Sequence, residues 1–267
     1  NGNGVTVIQS GASWVFDPGD INNIDDDGNG RVDDFIGWNF TNNTNDPSTS
    51  SNSHGTSTAG ILVGDGTNGT QTGVAPRAKL MDLNINSAGE SGWWAAYQYA
   101  FENGADVTTS SYSAKWYFNP QPNYPMFRQI NDMELAAGTV HTNSTSNDGN
   151  TTGIPFNISA PGCTPSPWVH PDQTLVGGVS SVIGSANVDA FSDVIASSSP
   201  WGPWAWEDYQ VNHPTFPYTM PPAYQDYPYE TLPGAMGLIK PDVAAPGNGT
   251  TSLNTSGARL EPPMPSR

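Results

Sequence analysis

The chain has 267 residues, of which 35% are hydrophobic, and 25 Asp and Glu against 8 Lys and Arg give a formal net charge of −17. Such an acidic surface repels phosphate backbones and anionic lipids, which argues against nucleic-acid binding. The length fits a single α/β domain over residues 1–267, and no apolar run is long enough to span a membrane. Because Cys163 is the only cysteine, an internal disulfide is excluded.

The first predicted element is a buried parallel strand at residues 5–8, which ends beside Gln9. A short β-branched run of this kind is typical of strands that are covered on both faces. In open α/β sheets, sites are built where the carboxyl ends of such strands meet. Gln9 therefore lies where a site residue is expected.

An acidic loop follows at residues 25–34, in which glycines allow the chain to fold back tightly. Hard cations are bound by several carboxylate and amide oxygens at this kind of spacing. We therefore predict a structural Ca²⁺ site whose ligands are Asp25, Asp27, Asn29 and Asp33. The loop lacks the distant glutamate of an EF-hand, and a solvated acidic turn without metal is the alternative.

A second strand is predicted at residues 35–40, and a polar loop then leads to His54 at the start of a helix. Gly55, Ala59 and Gly60 place small side chains about one turn apart, which allows a helix to lie close to a sheet. Taken alone, His54 fits equally well as a structural residue beside the helix N-cap.

Strands and helices alternate through the middle of the chain. A turn over residues 73–81 leads to a third strand, and further elements are a helix over 92–103, a strand over 105–111, a helix over 126–137, and strands over 139–142 and 175–179. This alternation predicts a doubly wound, mainly parallel sheet with helices on both faces.

The last quarter of the sequence is rich in proline and aromatic residues. Residues 200–233 indicate a stiff, ordered loop that covers the sheet edge, although a surface that recognises a polymer such as carbohydrate is an alternative. Residues 248–267 are predicted to form an irregular tail.

Several stretches, taken in chain order, resemble the motifs of subtilisin-like serine proteases, the subtilases. They are residues 54–56 with 59–60, the turn 73–76, the junction 103–107 and the segment 240–247, and the acidic loop with 37–40 resembles an insertion found in some members. The resemblance implies a subtilisin-like α/β fold whose C-terminal part is expected to be missing here. It also implies a polypeptide substrate or a protein partner.

Subtilases hydrolyse peptide bonds with an Asp-His-Ser arrangement and an asparagine that holds the oxyanion. The resemblance assigns the base to His54, the oxyanion amide to Asn147 and substrate binding to Ser111, while Ser146 replaces the usual glycine before Asn147. Gln9 stands at the position of the aspartate. An amide does not stabilise imidazolium as a carboxylate does, and losing that charge costs about four decades of rate in a serine protease.

No Gly-Thr-Ser nucleophile motif follows residue 247, where the family carries it, and Ser256 and Asp17 are weak substitutes for the missing triad members. Two hypotheses follow. The chain is a subtilase endopeptidase domain that is inactive in this form, or it is a pseudoprotease that acts as a calcium-stabilised binding or assembly module. A composition poor in Lys and rich in Asn, Ser, Thr and Gly favours an extracellular or cell-surface location, and the sequence does not indicate the oligomeric state.

Overall fold

The computed structural model describes residues 7–11, 13–48, 53–69, 71–118, 120–165, 181–205, 237–250, 252–253 and 259–260. The chain divides into two compact units, the first formed by Asn1–Ala96 with Ser252–Arg259 and the second by Tyr97–Thr251 with Leu260–Arg267. The single domain over residues 1–267 therefore stays a prediction. In the part of the chain that is described, every helix is too short or too polar to cross a membrane.

The described residues include ten strands and three α-helices. The strands are β1 (Val7–Ser10), β2 (Ser13–Phe16), β3 (Gly37–Asn39), β4 (Asp82–Asn84), β5 (Val107–Ser110), β6 (Val140–Ser144), β7 (Val182–Asp189), β8 (Val243–Asn248), β9 (Ser252–Leu253) and β10 (Arg259–Leu260). The helices are α1 (His54–Val63), α2 (Gly89–Glu102) and α3 (Tyr124–Ala137), and Thr67–Gly69 adds one turn of 3-10 helix.

In the first unit, β1 and β2 form an antiparallel hairpin in which Gln9 pairs with Trp14. The prediction of a buried parallel strand at residues 5–8 is therefore wrong. The physical reason is the turn: Gly11 adopts a φ of 64°, which allows the chain to reverse at once rather than continue into a crossover. Gln9 consequently lies on an exposed hairpin strand.

The first unit also contains a short parallel pair, β3 with β4. At Gly37 the backbones approach so closely that a Cβ atom would lie 1.8 Å from the carbonyl oxygen of Asp82, so only glycine fits there. Trp38 in the middle of β3 is buried, and the Arg31 guanidinium lies 4.8 Å from its ring centroid. This contact joins the acidic loop to the strand that follows it.

The second unit is built on a parallel four-stranded sheet with the order β5-β6-β7-β8. Helix α3 connects β5 to β6 and buries Phe127 and Ile130. It begins at Asn123, whose side chain accepts a hydrogen bond from the Met126 amide, and it ends at Gly138, which has a φ of 90°. The predicted α/β fold with a mainly parallel sheet is confirmed.

A buried polar cluster ties α3 to the strands on either side of it in the sequence. The Glu134 carboxylate accepts hydrogen bonds from the Thr108 hydroxyl at 2.7 Å and the Asn131 amide at 2.8 Å. His141 Nδ1 lies 2.8 Å from the same carboxylate, and its ring packs 4.8 Å from that of Tyr97. Because buried polar groups are costly unless they are hydrogen-bonded, this cluster specifies how α3 is seated on β5 and β6.

The C-terminal part of the chain differs from one other prediction and contains strands that were not predicted. Strands β7 and β8 were not predicted, and the strand expected at 175–179 lies outside the described residues, as does most of the segment 200–233. The tail from 248 onward is not wholly irregular, because β9 pairs with β10. All six residues of β8 are exposed, and among the described strands only β7 pairs with it.

Candidate active site

His54 is the first residue of α1 and is exposed to solvent. Its carbonyl oxygen accepts a hydrogen bond from the Thr58 hydroxyl at 3.0 Å. No residue of α1 is buried, and the preceding Ser53 forms no side-chain capping bond. An imidazole on an exposed first turn is accessible to a bound substrate, as a general base must be.

The same helix contains the sequence Gly-Thr-Ser at residues 55–57, directly after the histidine. The carbonyl oxygen of Ser57 accepts a hydrogen bond from the Ser252 hydroxyl, and β9 contacts α1. This stretch is part of the histidine helix and does not supply a separate nucleophile helix. Ser256, the other serine considered for that role, lies outside the described residues.

The residue that the resemblance places at the aspartate position is an amide. Gln9 is the third residue of β1 and is exposed. Asp17, the nearby carboxylate, lies just after β2, is 9% exposed and accepts a hydrogen bond from the Gly19 amide at 2.9 Å. The hairpin therefore carries a carboxylate whose side chain already caps a local turn.

Ser111 and Asn147 lie at one edge of the parallel sheet in the second unit. Strands β5 and β6 are in register at Ser110 and Asn143, and these two side chains are hydrogen-bonded. Ser111 follows β5 directly and Asn147 comes three residues after β6, and both are exposed. The structure thus places the predicted substrate-binding residue and the predicted oxyanion residue at the same carboxyl edge, where α/β proteins build sites.

Ser146, the residue before Asn147, adopts a backbone conformation that favours glycine. Ser146 has a φ of 110°, a conformation that only glycine adopts without strain. Its hydroxyl donates to the Asn157 carbonyl at 3.3 Å and accepts from the Asp148 amide at 3.0 Å. These two bonds offset part of the strain of a serine at this position.

An ion pair at the same edge was not anticipated from the sequence. Lys115 Nζ lies 3.0 Å from a carboxylate oxygen of Asp148, and both side chains are mostly buried. Burial lowers the pKa of Lys115, but hydrogen bonds to Asp148 and Tyr117 outweigh it and leave the pKa above its usual value. The partners are 33 residues apart, so no local pattern in a single sequence connects them.

The acidic loop gathers three of the four predicted calcium ligands. The Asp25 carboxylate accepts hydrogen bonds from the amides of Gly28 and Gly30, both at 2.8 Å, and the Gly30 bond is the main reason that its pKa lies below the usual value. Asp27 accepts from the side chain of Asn29 at 3.0 Å. Asn29 is therefore held between these carboxylates.

The fourth predicted ligand, Asp33, points elsewhere. Its carboxylate accepts hydrogen bonds from the amides of Asn22 and Asn23, whereas Asp34 takes a bond from Asn29 at 2.9 Å. An all-oxygen donor set suits a hard cation. Among the described residues, however, no three His, Cys, Asp or Glu side chains are arranged to hold a metal ion. The Ca²⁺ site stays a prediction.

Comparison with known proteins covers the stretch in which all of these motifs lie. The sequence matches the model of the subtilase family, Peptidase_S8, over residues 2–264. Subtilisin-like protease 1 of Plasmodium vivax is 37% identical over 101 residues, which are 36% of this chain and 16% of that protein.

Solved structures give the same fold. Sphericase is similar with a TM-score of 0.55 and 17% identity, over 84% of this chain and 63% of its own. The epidermin leader peptide processing serine protease of Staphylococcus aureus is similar with a TM-score of 0.51 and 14% identity, over 84% of this chain and 55% of its own. The chain thus spans only part of each relative. Because the family match covers nearly all of the sequence, the chain belongs to the subtilase family.

Proposed function

We propose that this chain is a subtilase domain that binds polypeptides but does not hydrolyse them in the form given by this sequence. One observation carries the proposal: the family match over residues 2–264 includes His54 and Asn147, yet Gln9 stands at the aspartate position and no Gly-Thr-Ser motif follows residue 247. Within this sequence, the predicted base and oxyanion amide are therefore not accompanied by a matching aspartate or nucleophile motif.

The chemistry explains why these losses matter. In peptide hydrolysis a serine attacks the carbonyl carbon, a histidine takes its proton and returns it to the leaving amine, and an aspartate stabilises the imidazolium. His54 can accept the proton, but Gln9 carries no charge to stabilise the resulting cation. Even with a serine supplied, turnover is expected to be about 10⁴-fold below that of a complete triad.

Binding requires less than catalysis does. Ser111 and Asn147 are exposed at one sheet edge, and Tyr112, Tyr117 and Phe118 expose aromatic surface in the segment that follows β5. The formal charge of −17 favours neutral or basic polypeptides over acidic ones. The name of the Staphylococcus aureus neighbour states that it processes a leader peptide, and we infer a polypeptide ligand for this chain as well.

A serine-directed fluorophosphonate probe tests the catalytic half of the proposal. We expect no labelling of the chain, and none after Gln9→Asp, because restoring the carboxylate does not create a nucleophile. Labelling at a serine that His54→Ala abolishes would show instead that the chain is an active protease.

A fluorescently labelled, unfolded basic polypeptide, such as reduced ribonuclease A, tests the binding half. We expect Ser111→Trp to weaken its binding by about tenfold, the change that about 1.4 kcal/mol produces. Ser48→Trp, which places the same side chain at an exposed position of the first unit, is the matched control and should leave binding unchanged. Equal effects of the two substitutions would contradict a binding site at the β5 and β6 edge.

The second candidate is a pseudoprotease stabilised by Ca²⁺ that serves in assembly at or outside the cell surface. The gathering of Asp25, Asp27 and Asn29 in one exposed loop favours it. In buffer stripped of divalent ions, adding Ca²⁺ should raise the melting temperature, and EDTA should reverse the change. Asp27→Asn should abolish the response, whereas a melting temperature that is indifferent to both reagents would contradict the calcium site.

A further inference from the structure

The conformation of the turn that contains Asn147 depends on contacts made by the neighbouring residues. Asn147 is exposed, and within the described residues its side chain has no hydrogen-bond partner. An oxyanion donor is effective only if it is oriented before the charge develops. The orientation of its amide therefore depends on how firmly the neighbouring backbone is fixed.

Two anchors of this turn are formed close to it. Ser146 is bonded to the Asn157 carbonyl and to the Asp148 amide. Gly149 donates to the Ser198 carbonyl at 3.0 Å, and a Cβ at this position would lie 2.2 Å from the carbonyl oxygen of Ser199. These contacts fix the residues on both sides of Asn147 but do not connect them to the segment that carries Ser111.

The third anchor is the ion pair between Asp148 and Lys115, and it makes that connection. Lys115 lies four residues after Ser111 and directly follows Ala114, which is 2% exposed. Ala114 is itself fixed by two backbone hydrogen bonds with Ala160, at 2.8 and 3.1 Å. The ammonium group thus extends from a rigid backbone to the residue next to Asn147.

We propose that Lys115 is a positioning residue, whose ion pair with Asp148 holds the turn 146–149 so that the Asn147 amide faces the edge where Ser111 binds substrate. This inference rests on the proposed function, because it takes Asn147 as the oxyanion residue. Lys115 touches neither substrate nor reacting atoms. Its role is to fix the separation between the segment after β5 and the turn after β6.

Hydrogen exchange measured by NMR on the ¹⁵N-labelled chain tests the proposal directly. In Lys115→Met, which keeps the length of the side chain and removes its charge, we expect the Asp148 and Gly149 amides to exchange about tenfold faster. The side-chain amide signals of Asn147 should broaden at the same time. Lys115→Arg should restore both readouts, because guanidinium also pairs with carboxylate.

Two further variants keep the test decisive. Lys79→Met removes an exposed lysine of the first unit and should change neither readout. Asp148→Asn removes the other partner of the ion pair and should loosen the same amides. The proposal is overturned if amide exchange is unchanged in Lys115→Met, or if Lys115→Arg fails to restore slow exchange. It is also overturned if faster exchange spreads through β6 and α3, or if both partner variants fail to fold, because either result would show a general structural role.

The outcome is separable from the proposed function. Exchange at residues 147–149 reports on the turn whether or not the chain binds peptide. If neither Ser111→Trp nor Asn147→Ala weakens binding of the basic polypeptide while Lys115→Met still loosens the turn, the ion pair is confirmed as the anchor and the proposed binding edge is wrong.

Discussion

Helices α1 and α3 differ in what holds them in place. Helix α3 buries six of its residues, including Phe127, and is capped at both ends. Helix α1 buries none, and Ser53 before it forms no side-chain capping bond. Because most helical stability in proteins comes from packing an apolar face, α3 is a framework element and α1 is only weakly held. His54, the candidate base, lies on the weakly held helix, in keeping with the tendency of functional segments to come from the less stable parts of a fold.

Core truncation in each helix gives the largest expected difference. Phe127 is 0% exposed, so Phe127→Ala should lower the free energy of unfolding by about 4 kcal/mol. Ile61 in α1 is 39% exposed, and Ile61→Ala should cost about 1 kcal/mol or less. Urea denaturation followed by circular dichroism measures both. Equal losses would show that α1 is as firmly packed as α3.

The polar cluster below α3 gives the next largest effect. Glu134→Ala should cost about 3 kcal/mol, because it leaves the buried polar groups of Thr108, Asn131 and His141 without their acceptor. Glu102→Ala, at an exposed position near the end of α2, is the matched control and should cost about 0.5 kcal/mol or less. The same urea titration measures both changes, and a small loss for Glu134 would remove the cluster as an anchor of α3.

Removing the N-cap side chains of the two helices gives the smallest expected difference in the free energy of unfolding. Asn123→Ala removes the bond to the Met126 amide and should lower the free energy of unfolding by about 1 kcal/mol. Ser53→Ala removes no capping bond and should change it by only about 0.3 kcal/mol. If thermal melting shows that Ser53→Ala costs as much as Asn123→Ala, then Ser53 caps α1 in solution.

The helices could be predicted from the sequence, whereas the pairing and register of the strands could not. Periodic apolar residues, with Gly104 and Gly138 as stops, define α2 and α3 closely. A β-branched run does not reveal whether its partner is parallel, so the hairpin at β1 was misassigned. Strand β8 was missed because Pro246 within it argues against a central strand, and the proline is tolerated there because only β7 pairs with β8 among the described strands.

The residues of the candidate site also fall into those that a local motif predicts and those that only the structure reveals. His54 and Asn147 were predicted because each lies in a local motif, and their roles stay predictions. Lys115 with Asp148 was missed because a pairing across 33 residues depends on the register of β5 and β6, which follows from tertiary packing. The sequence shows a serine at residue 146 where the resemblance predicts glycine, but only the structure shows that this serine has a strained φ.

The exposed strand β8 has a practical consequence for handling the protein. Among the strands that the structure describes, only β7 pairs with β8, and an unpaired outer edge offers backbone groups to a second molecule. The single proline of β8 only partly blocks such pairing. At neutral pH the net charge of −17 keeps molecules apart. Acidification protonates the carboxylates and high salt screens them, so either condition removes the repulsion that keeps this edge unpaired. Concentrated solutions should therefore be prepared at neutral pH and low ionic strength, where colloidal stability is greatest.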